Sequence, residues 1–171
     1  MTILLTVASK HGSTREIGEV LADELRSQGI HVDLRKITEV EDPEADDGVI
    51  IGSAMYMGSW LPEAREFIHT HADALRGRAV WLFSSGPLGR DDLQPSGDPP
   101  QIEDSMAATG AREHRIFVGK LDKQHLGFGE RLAVKLVKAP NGDFRDWAAV
   151  RAWAREIATV VHTTPSPVEQ R

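Results

Sequence analysis

A short run of hydroxyl-bearing and small residues follows the first apolar stretch of the chain. It reads Ser9-Lys10-His11-Gly12-Ser13-Thr14 and leads directly into a helical pattern. Such a loop brings backbone N–H groups, hydroxyls and the positive end of a helix dipole into one small volume, which suits a phosphate group. Gly12 lets a ligand approach closely because it has no Cβ. The run therefore predicts a phosphate site, and an ordinary turn with Ser13 and Glu16 as a capping box is the alternative.

This loop lacks the signatures of the commoner nucleotide sites. The chain has no Gly-x-x-x-x-Gly-Lys-Ser/Thr sequence, and Gly-x-Gly-x-x-Gly does not follow the first apolar run. A P-loop and a dinucleotide site of the usual Rossmann type are therefore not supported. One glycine among hydroxyls, with no obligatory lysine, suits a terminal monophosphate. The predicted ligand is a mononucleotide.

Two later segments combine small, hydroxyl-bearing and aromatic residues in the same way. The first covers residues 53–60 (SAMYMGSW), and the second begins Ser84-Ser85-Gly86. Each follows a continuous apolar run, over 48–53 and 78–84, that predicts a strand buried on both faces. The carboxyl ends of parallel strands meet at one edge of a sheet, so we expect the three segments to line one cleft.

Strand and helix patterns alternate along the chain. Strands are predicted over 3–8, 31–37, 48–53, 78–84 and 115–119, and helices over 13–28, 61–75, 102–109 and 147–161. This alternation predicts an α/β fold, a doubly wound parallel sheet in the order 2-1-3-4-5 with helices on both faces. We expect a single domain over 1–162 and a flexible tail over 163–171, which has two prolines and no apolar pattern.

Composition and charge exclude several classes of protein. The chain has 171 residues, no cysteine, 40% hydrophobic residues and a formal net charge of −6 at pH 7. Without cysteine there are no disulfides, no thiolate catalysis and no iron–sulfur cluster. The acidic balance argues against a nucleic-acid partner. No apolar run approaches the roughly 18 residues of a membrane span. We expect a cytoplasmic protein.

Taken together, the three segments resemble the FMN site of the flavodoxins. The run 9–14 looks like the flavodoxin phosphate loop, and SAMYMGSW stands where flavodoxins wrap the isoalloxazine ring. That second segment, with the runs 130–137, 146–147 and 153–158, also resembles the menaquinone-dependent protoporphyrinogen IX dehydrogenases of bacterial haem synthesis. The resemblance implies a flavodoxin-like fold with FMN as cofactor.

The resemblance also implies which residues hold FMN. They are Ser9, Lys10, His11, Gly12, Ser13 and Thr14 for the phosphate, Ser53, Ala54, Met55, Tyr56, Met57, Gly58 and Trp60 for the ring, and Ser84, Ser85, Gly86, Pro87, Leu88 and Gly89 for its pyrimidine edge. Trp60 is the first candidate to stack on the ring, with packing at a helix start as its alternative, and Tyr56 is the second. No catalytic side chain is predicted. No metal site is predicted either, because His69 and His71 do not share a helix face.

Three classes of function remain open. The first is an FMN oxidoreductase that oxidises protoporphyrinogen with a quinone acceptor, with FMN reduced reversibly by one or two electrons. The second is an electron-carrying flavodoxin that docks a basic redox partner protein through the acidic segment 39–47. The third is a flavin-free binding domain. A quinone acceptor would bring the basic segment 120–138 into peripheral contact with the inner membrane face, and an ordinary packed amphipathic helix is the alternative reading of that segment.

Overall fold

The structure of the protein is a computed structural model, and it describes residues 2–43, 47–56, 58–86, 100–121, 142–143 and 145–163. Several predictions fall outside these residues. They concern Met57, the residues 87–89 and nearly all of the basic segment 120–138. The helices, strands and contacts that follow lie within these ranges.

Strands and helices alternate from the N-terminus, as the sequence predicts. The strands are β1 Thr2–Ala8, β2 His31–Lys36, β3 Gly48–Tyr56, β4 Ser59–Trp60, β5 Ala79–Ser85, β6 Glu113–Phe117, β7 Lys120–Leu121 and β8 Gly142–Asp143. The helices are α1 Ser13–Ser27, α2 Pro62–Arg76, α3 Pro100–Thr109 and α4 Trp147–Thr163, and a 3-10 turn spans Ile37–Glu39. Helix α4 thus includes Thr163, the first residue of the predicted tail.

The main sheet has five parallel strands in the order β2-β1-β3-β5-β6, with β4 added antiparallel to the end of β3. Counted over the parallel strands, this is the predicted order 2-1-3-4-5, which is confirmed. The strands β7 and β8 form a separate two-stranded sheet. In the main sheet Ala8 lies beside Ser53, and Ser53 lies beside Ser84. Three strands therefore reach the carboxyl edge at the same level.

The two faces of the sheet carry separate hydrophobic cores. In β1, the side chains of Ile3 and Leu5 join a core with α1 and α4, whereas Leu4 and Ala8 join a core with α2 and α3. Successive strand residues point to opposite faces, so a sheet covered on both sides needs the continuous apolar runs seen in the sequence. Because the middle of each strand is apolar on both faces, the polar residues available for a binding site lie at the strand ends.

A glycine in β3 permits the closest packing in the middle of the sheet. A Cβ at Gly52 would lie 2.1 Å from the Phe83 ring. Phe83 in turn packs edge-on against Phe117 and Trp153, with ring centroids 6.0 Å away in both cases. Gly52 directly precedes Ser53, so this packing against Phe83 holds β3 in position next to the carboxyl edge of the sheet.

Strand β3 is longer than predicted. It does not end at residue 53 but continues to Tyr56 and turns back through β4, so the predicted loop 53–60 is a β-hairpin. Met55 pairs with Trp60, and Tyr56 pairs with Ser59. Aromatic side chains suit a pleated, half-buried ladder, which is why this segment extends the strand.

Candidate functional site

The first loop leaves β1 and starts helix α1 at Ser13. Gly12 is the N-cap residue with a φ of 83°, a left-handed conformation that glycine adopts without strain. Its N–H donates to Ser9 Oγ at 3.1 Å, and its carbonyl accepts the Glu16 N–H at 3.0 Å. The predicted capping box is wrong, because Ser13 is not the N-cap residue and Gly12 provides no side-chain cap. The Glu16 carboxylate instead lies 2.6 Å from a guanidinium nitrogen of Arg145.

The N-terminus of α1 has the properties of an anion site. No cap side chain bonds to its first turn. Apart from Gly12 itself and its chain neighbours His11 and Ser13, no described residue has a heavy atom within 4 Å of the position that a Cβ on Gly12 would take. First-turn N–H groups and the helix dipole attract an anion. Thr14, at 1% exposure, is buried at the base of this loop. The residues present therefore fit a phosphate group.

The second segment is the β3–β4 hairpin, whose turn contains Gly58 with a φ of 77°. The Ser53 hydroxyl accepts the N–H of Leu61 at 3.1 Å and donates to the Ala54 carbonyl at 2.9 Å. The bond from Leu61 ties the end of the hairpin to its beginning. The Ser53 hydroxyl is therefore used by the fold.

Trp60 lies in the core. Its side chain is 2% exposed, and its Nε1–H donates to the buried Ser84 Oγ at 2.7 Å. That oxygen is also 2.8 Å from Nε2 of His114. The prediction that the Trp60 ring stacks in the cleft is wrong, because that ring packs in the core between the sheet and α2. Packing at the helix start, the alternative, is what the structure shows.

Tyr56 is the aromatic residue of the hairpin that meets the first loop. Its partly exposed ring lies 6.3 Å from the His11 ring, centroid to centroid, and the Lys10 Nζ is 5.5 Å from its centroid. A cation over an aromatic face is attracted by the ring quadrupole. The structure thus brings the first and second predicted segments together at Tyr56.

The third segment continues from β5 and passes close to the hairpin. Gly86 has a φ of 110°, and its N–H donates to the Phe117 carbonyl at 2.9 Å. A Cβ on Gly86 would lie 3.6 Å from the Met55 carbonyl oxygen. Ser85 is buried beside it. The predicted roles of Met57, Pro87, Leu88 and Gly89 fall outside the described residues and stay predictions.

Arg145, which the sequence did not single out, anchors the first loop. Its side chain is 3% exposed, lies 2.6 Å from the Glu16 carboxylate and donates to the Ser13 carbonyl at 3.4 Å. It also donates to Asp143 at 2.8 Å and lies over the Trp147 ring, 4.4 Å from its centroid. The hydrogen bonds to Asp143, and then those to Glu16, raise the pKa of Arg145, so its charge persists. It neutralises a carboxylate in the first turn of α1.

Gln101, in the first turn of α3, contacts the hairpin turn. Its Nε2 donates to the Gly58 carbonyl at 2.8 Å and to Ser59 Oγ at 3.0 Å, while its Oε1 accepts the Trp60 N–H at 3.2 Å. The partners are 41 to 43 positions apart in the chain. No local sequence pattern could have identified this residue.

In the part of the chain that the structure describes, no group of three or more His, Cys, Asp or Glu residues could hold a metal ion. His71 instead packs on Phe67 with ring centroids 4.7 Å apart. None of the described helices is long and apolar enough to cross a membrane.

Known proteins match both the sequence and the fold. The flavodoxin domain family model matches residues 4–147. Protoporphyrinogen IX dehydrogenase (quinone) of Escherichia coli strain K12 is 27% identical over 184 residues, which cover 98% of either protein. A flavodoxin from the domain Archaea superimposes with a TM-score of 0.66 and 17% identity over 95% of this chain and 99% of its own. A Streptococcus pneumoniae TIGR4 flavodoxin gives a TM-score of 0.61 and 20% identity over 94% of this chain and 99% of its own.

The family match begins in β1 and ends at the start of α4, so it includes all three segments of the site. The structural likenesses, at their low identity, show the fold. Members of this fold family bind a flavin. The chain belongs to the flavodoxin domain family.

Proposed function

We propose that the protein binds one FMN at the carboxyl edge of its sheet and works as an FMN-dependent oxidoreductase. The observation that carries this proposal is the helix start at Gly12, which no side chain caps, in the same loop as Lys10, whose ammonium lies 5.5 Å from the centroid of the Tyr56 ring. A phosphate and a flat aromatic ring need these two environments side by side. The family match supports a flavin as the ligand.

Each part of the cleft has a role in holding the cofactor. The residues of the run 9–14 bind the phosphate through backbone N–H groups and hydroxyls at the start of α1. Tyr56 covers the ring and excludes water from one side, while Ser85 and Gly86 border its pyrimidine edge. Lys10 places a positive charge near the ring, which stabilises negative charge on a ligand there. FMN supplies the electron-transfer chemistry when it is bound.

For the substrate, we propose protoporphyrinogen IX, with a quinone as electron acceptor. The support is the 27% identity to a protein of that name over 98% of both chains. Each pair of electrons and protons removed from the porphyrinogen reduces one quinone to a quinol. The chain needs no acid–base dyad for this proposal, because the redox chemistry belongs to the cofactor.

Protoporphyrin fluorescence tests the substrate. Protein, FMN, protoporphyrinogen IX and a menaquinone analogue are mixed without oxygen, and samples without protein or without quinone are the controls. We expect fluorescence to rise only in the complete mixture. A rate equal to that of the protein-free control would overturn the substrate proposal.

Electron transfer between proteins is the second candidate function. Glu39, Glu41 and Asp42 are exposed beside the 3-10 turn, and an acidic surface steers basic partners. Fast reduction of the bound flavin by a flavodoxin reductase, together with no porphyrin formation, would favour this function.

A quinone acceptor lies in the bilayer, so the substrate proposal includes a cytoplasmic protein that touches the inner membrane face. The basic segment 120–138, nearly all of it outside the described residues, is the proposed contact. Anionic lipid attracts each surface cation by about 1 kcal/mol. We expect weak, salt-sensitive sedimentation with anionic vesicles and none with neutral vesicles; equal sedimentation with both would contradict the contact.

A further inference from the structure

We propose that Gln101 is a positioning residue for the ring side of the flavin pocket. Its carboxamide fixes the β3–β4 turn and so holds Tyr56 in place for the ring. This inference rests on the proposed FMN site. Gln101 itself lies on α3, beyond the three segments that form the cleft.

The three contacts of Gln101 use both ends of its carboxamide. The Gly58 carbonyl can only accept, so it needs the Nε2 donor, and the Trp60 N–H can only donate, so it needs the Oε1 acceptor. The Ser59 hydroxyl accepts from the same Nε2. The chemistry of these partners therefore fixes the orientation of the amide. One side chain satisfies polar groups of three consecutive residues in the turn.

The hairpin depends on contacts from outside because its own ladder is short. Only two residue pairs, Met55 with Trp60 and Tyr56 with Ser59, join β3 to β4 among the described residues, and a small isolated hairpin is marginally stable. The core side is held by Trp60, through its burial and its bond to Ser84. The turn itself is held by Gln101. Because Ser59 is the ladder partner of Tyr56, fixing Ser59 fixes the strand that carries Tyr56.

Helix α3 gives Gln101 a firm base. Its neighbour Ile102 is fully buried in the core with α2 and anchors the helix independently of the 2.7 Å hydrogen bond from the Ser105 hydroxyl to the Gln101 carbonyl. A side chain held at its backbone and at three polar contacts loses little freedom when a ligand arrives. Preorganisation of this kind raises affinity by reducing the ordering cost of binding.

A ring-side role differs measurably from a phosphate-side role. FMN and riboflavin share the ring and differ by the phosphate. A change at Gln101 is therefore expected to weaken both ligands by the same factor, leaving the ratio of their affinities unchanged. A change in the first loop is expected to weaken FMN alone.

The test titrates the apoproteins of the wild type, Gln101→Leu, Gln101→Glu and Ser105→Ala with FMN and with riboflavin. We expect Gln101→Leu to weaken both ligands about tenfold, since it removes all three bonds. Ser105→Ala is the matched control, because it removes a hydrogen bond within α3 and touches no residue of the turn; its affinities are expected within about twofold of the wild type.

Amide hydrogen exchange in the apoproteins separates the two ends of the carboxamide. Gln101→Glu keeps the acceptor for the Trp60 N–H but loses the donor to Gly58 and Ser59. We expect protection of the Trp60 amide in the wild type and in Gln101→Glu, and its loss in Gln101→Leu. Weaker binding of both flavins by Gln101→Glu would then assign the effect to the Gly58 and Ser59 contacts. If Gln101→Leu fails to fold, Gln101→Met carries the titration, since it removes the same three bonds without adding a charge.

The outcomes distinguish this inference from the function on which it rests. A wild type that binds neither flavin would overturn the proposed function and the inference together. If the wild type binds FMN and the Gln101 variants bind each flavin as tightly as the wild type does, the inference alone would be overturned. Selective loss of FMN affinity in Gln101→Leu, which adds no charge, would also overturn it, because it would place the residue on the phosphate side.

Discussion

The two sides of the proposed cofactor site are built in different ways. The turn of the first loop is made by near neighbours, since Gly12 bonds to Ser9, three positions away, and to Glu16, four positions away. Arg145 adds a contact to the end of this loop from 132 positions away. The β3–β4 hairpin is held by Ser84 and Gln101, which lie 24 and 41 to 43 positions from their partners. A loop built from near neighbours can be recognised in a sequence, whereas a hairpin built from distant contacts needs the folded chain. The two sides should also respond differently to substitution.

The largest expected effect comes from breaking the strand beneath the hairpin. In Gly52→Ala the new methyl group would meet the Phe83 ring at 2.1 Å. Overpacking of this kind costs about 3 kcal/mol, measured as the free energy of unfolding in urea. Gly77→Ala is the control, since its Cβ would have its nearest neighbour at 3.6 Å and its φ is −79°. Equal stability of both variants would show that Phe83 moves aside without cost.

Substitutions at Trp60 and Tyr56 distinguish the structural role of the hairpin from its proposed role in ligand binding. Trp60→Phe loses the bond to Ser84 and is expected to reduce stability by about 1–2 kcal/mol. The folded protein is expected to keep its FMN affinity, because the phenyl ring stays buried and Gln101 still bonds the turn. Tyr56→Ala is expected to leave stability nearly unchanged and to weaken FMN by about 2 kcal/mol, from the lost ring contact and its burial. Urea unfolding and fluorescence titration measure the two quantities. The opposite pattern would return the stacking role to Trp60.

Arg145 tests the electrostatics of the first loop. Arg145→Met leaves Glu16 unpaired in the first turn of α1, where its charge repels a phosphate. We expect FMN to bind about 1 kcal/mol more weakly and riboflavin to be unaffected, as calorimetry would measure. Arg155→Met is the control: it breaks the 2.8 Å ion pair between α4 and Glu24 of α1, away from the loop. Adding Glu16→Gln to Arg145→Met should recover FMN affinity. Equal loss for FMN and riboflavin would contradict this electrostatic role.

The smallest effect concerns acid stability on the α1–α4 side. The hydrogen bond from Arg155 lowers the pKa of Glu24 in the folded protein. The unfolded chain therefore binds this proton at higher pH, so the stabilisation is present above the unfolded pKa and is lost as pH falls through the folded value. Urea midpoints against pH should show a shallower acid decline in Glu24→Gln than in the wild type. An unchanged slope would show that Glu24 does not contribute to the loss of stability in acid.

The main sheet and its helices were predictable because each of their long elements has its own local signal. The continuous apolar runs of β1, β3 and β5 indicated a sheet covered on both faces, and the alternation of strands with helices indicated the doubly wound order. The short strands β4, β7 and β8 have no such signal. The extension of β3 was not predictable, since its pairing with β4 forms only after the chain turns back. Trp60 was misassigned for the same reason: an aromatic residue in a cleft-like sequence does not reveal which face of a hairpin it takes.

The site was predictable only in part. The run 9–14 was identified because a strand, a small turn and a helix follow one another without a gap. Arg145 and Gln101 were missed because their partners lie more than 40 positions away. A single sequence records neither contact.

The proposed site makes FMN the better ligand, because the loop ending at Gly12, with the start of α1, holds a phosphate beside the ring site at Tyr56. Calorimetric titration of the wild-type apoprotein with FMN and with riboflavin measures this preference. One FMN per chain should bind, and more tightly than riboflavin. Equal affinities for the two ligands, or binding of neither, would contradict the claim.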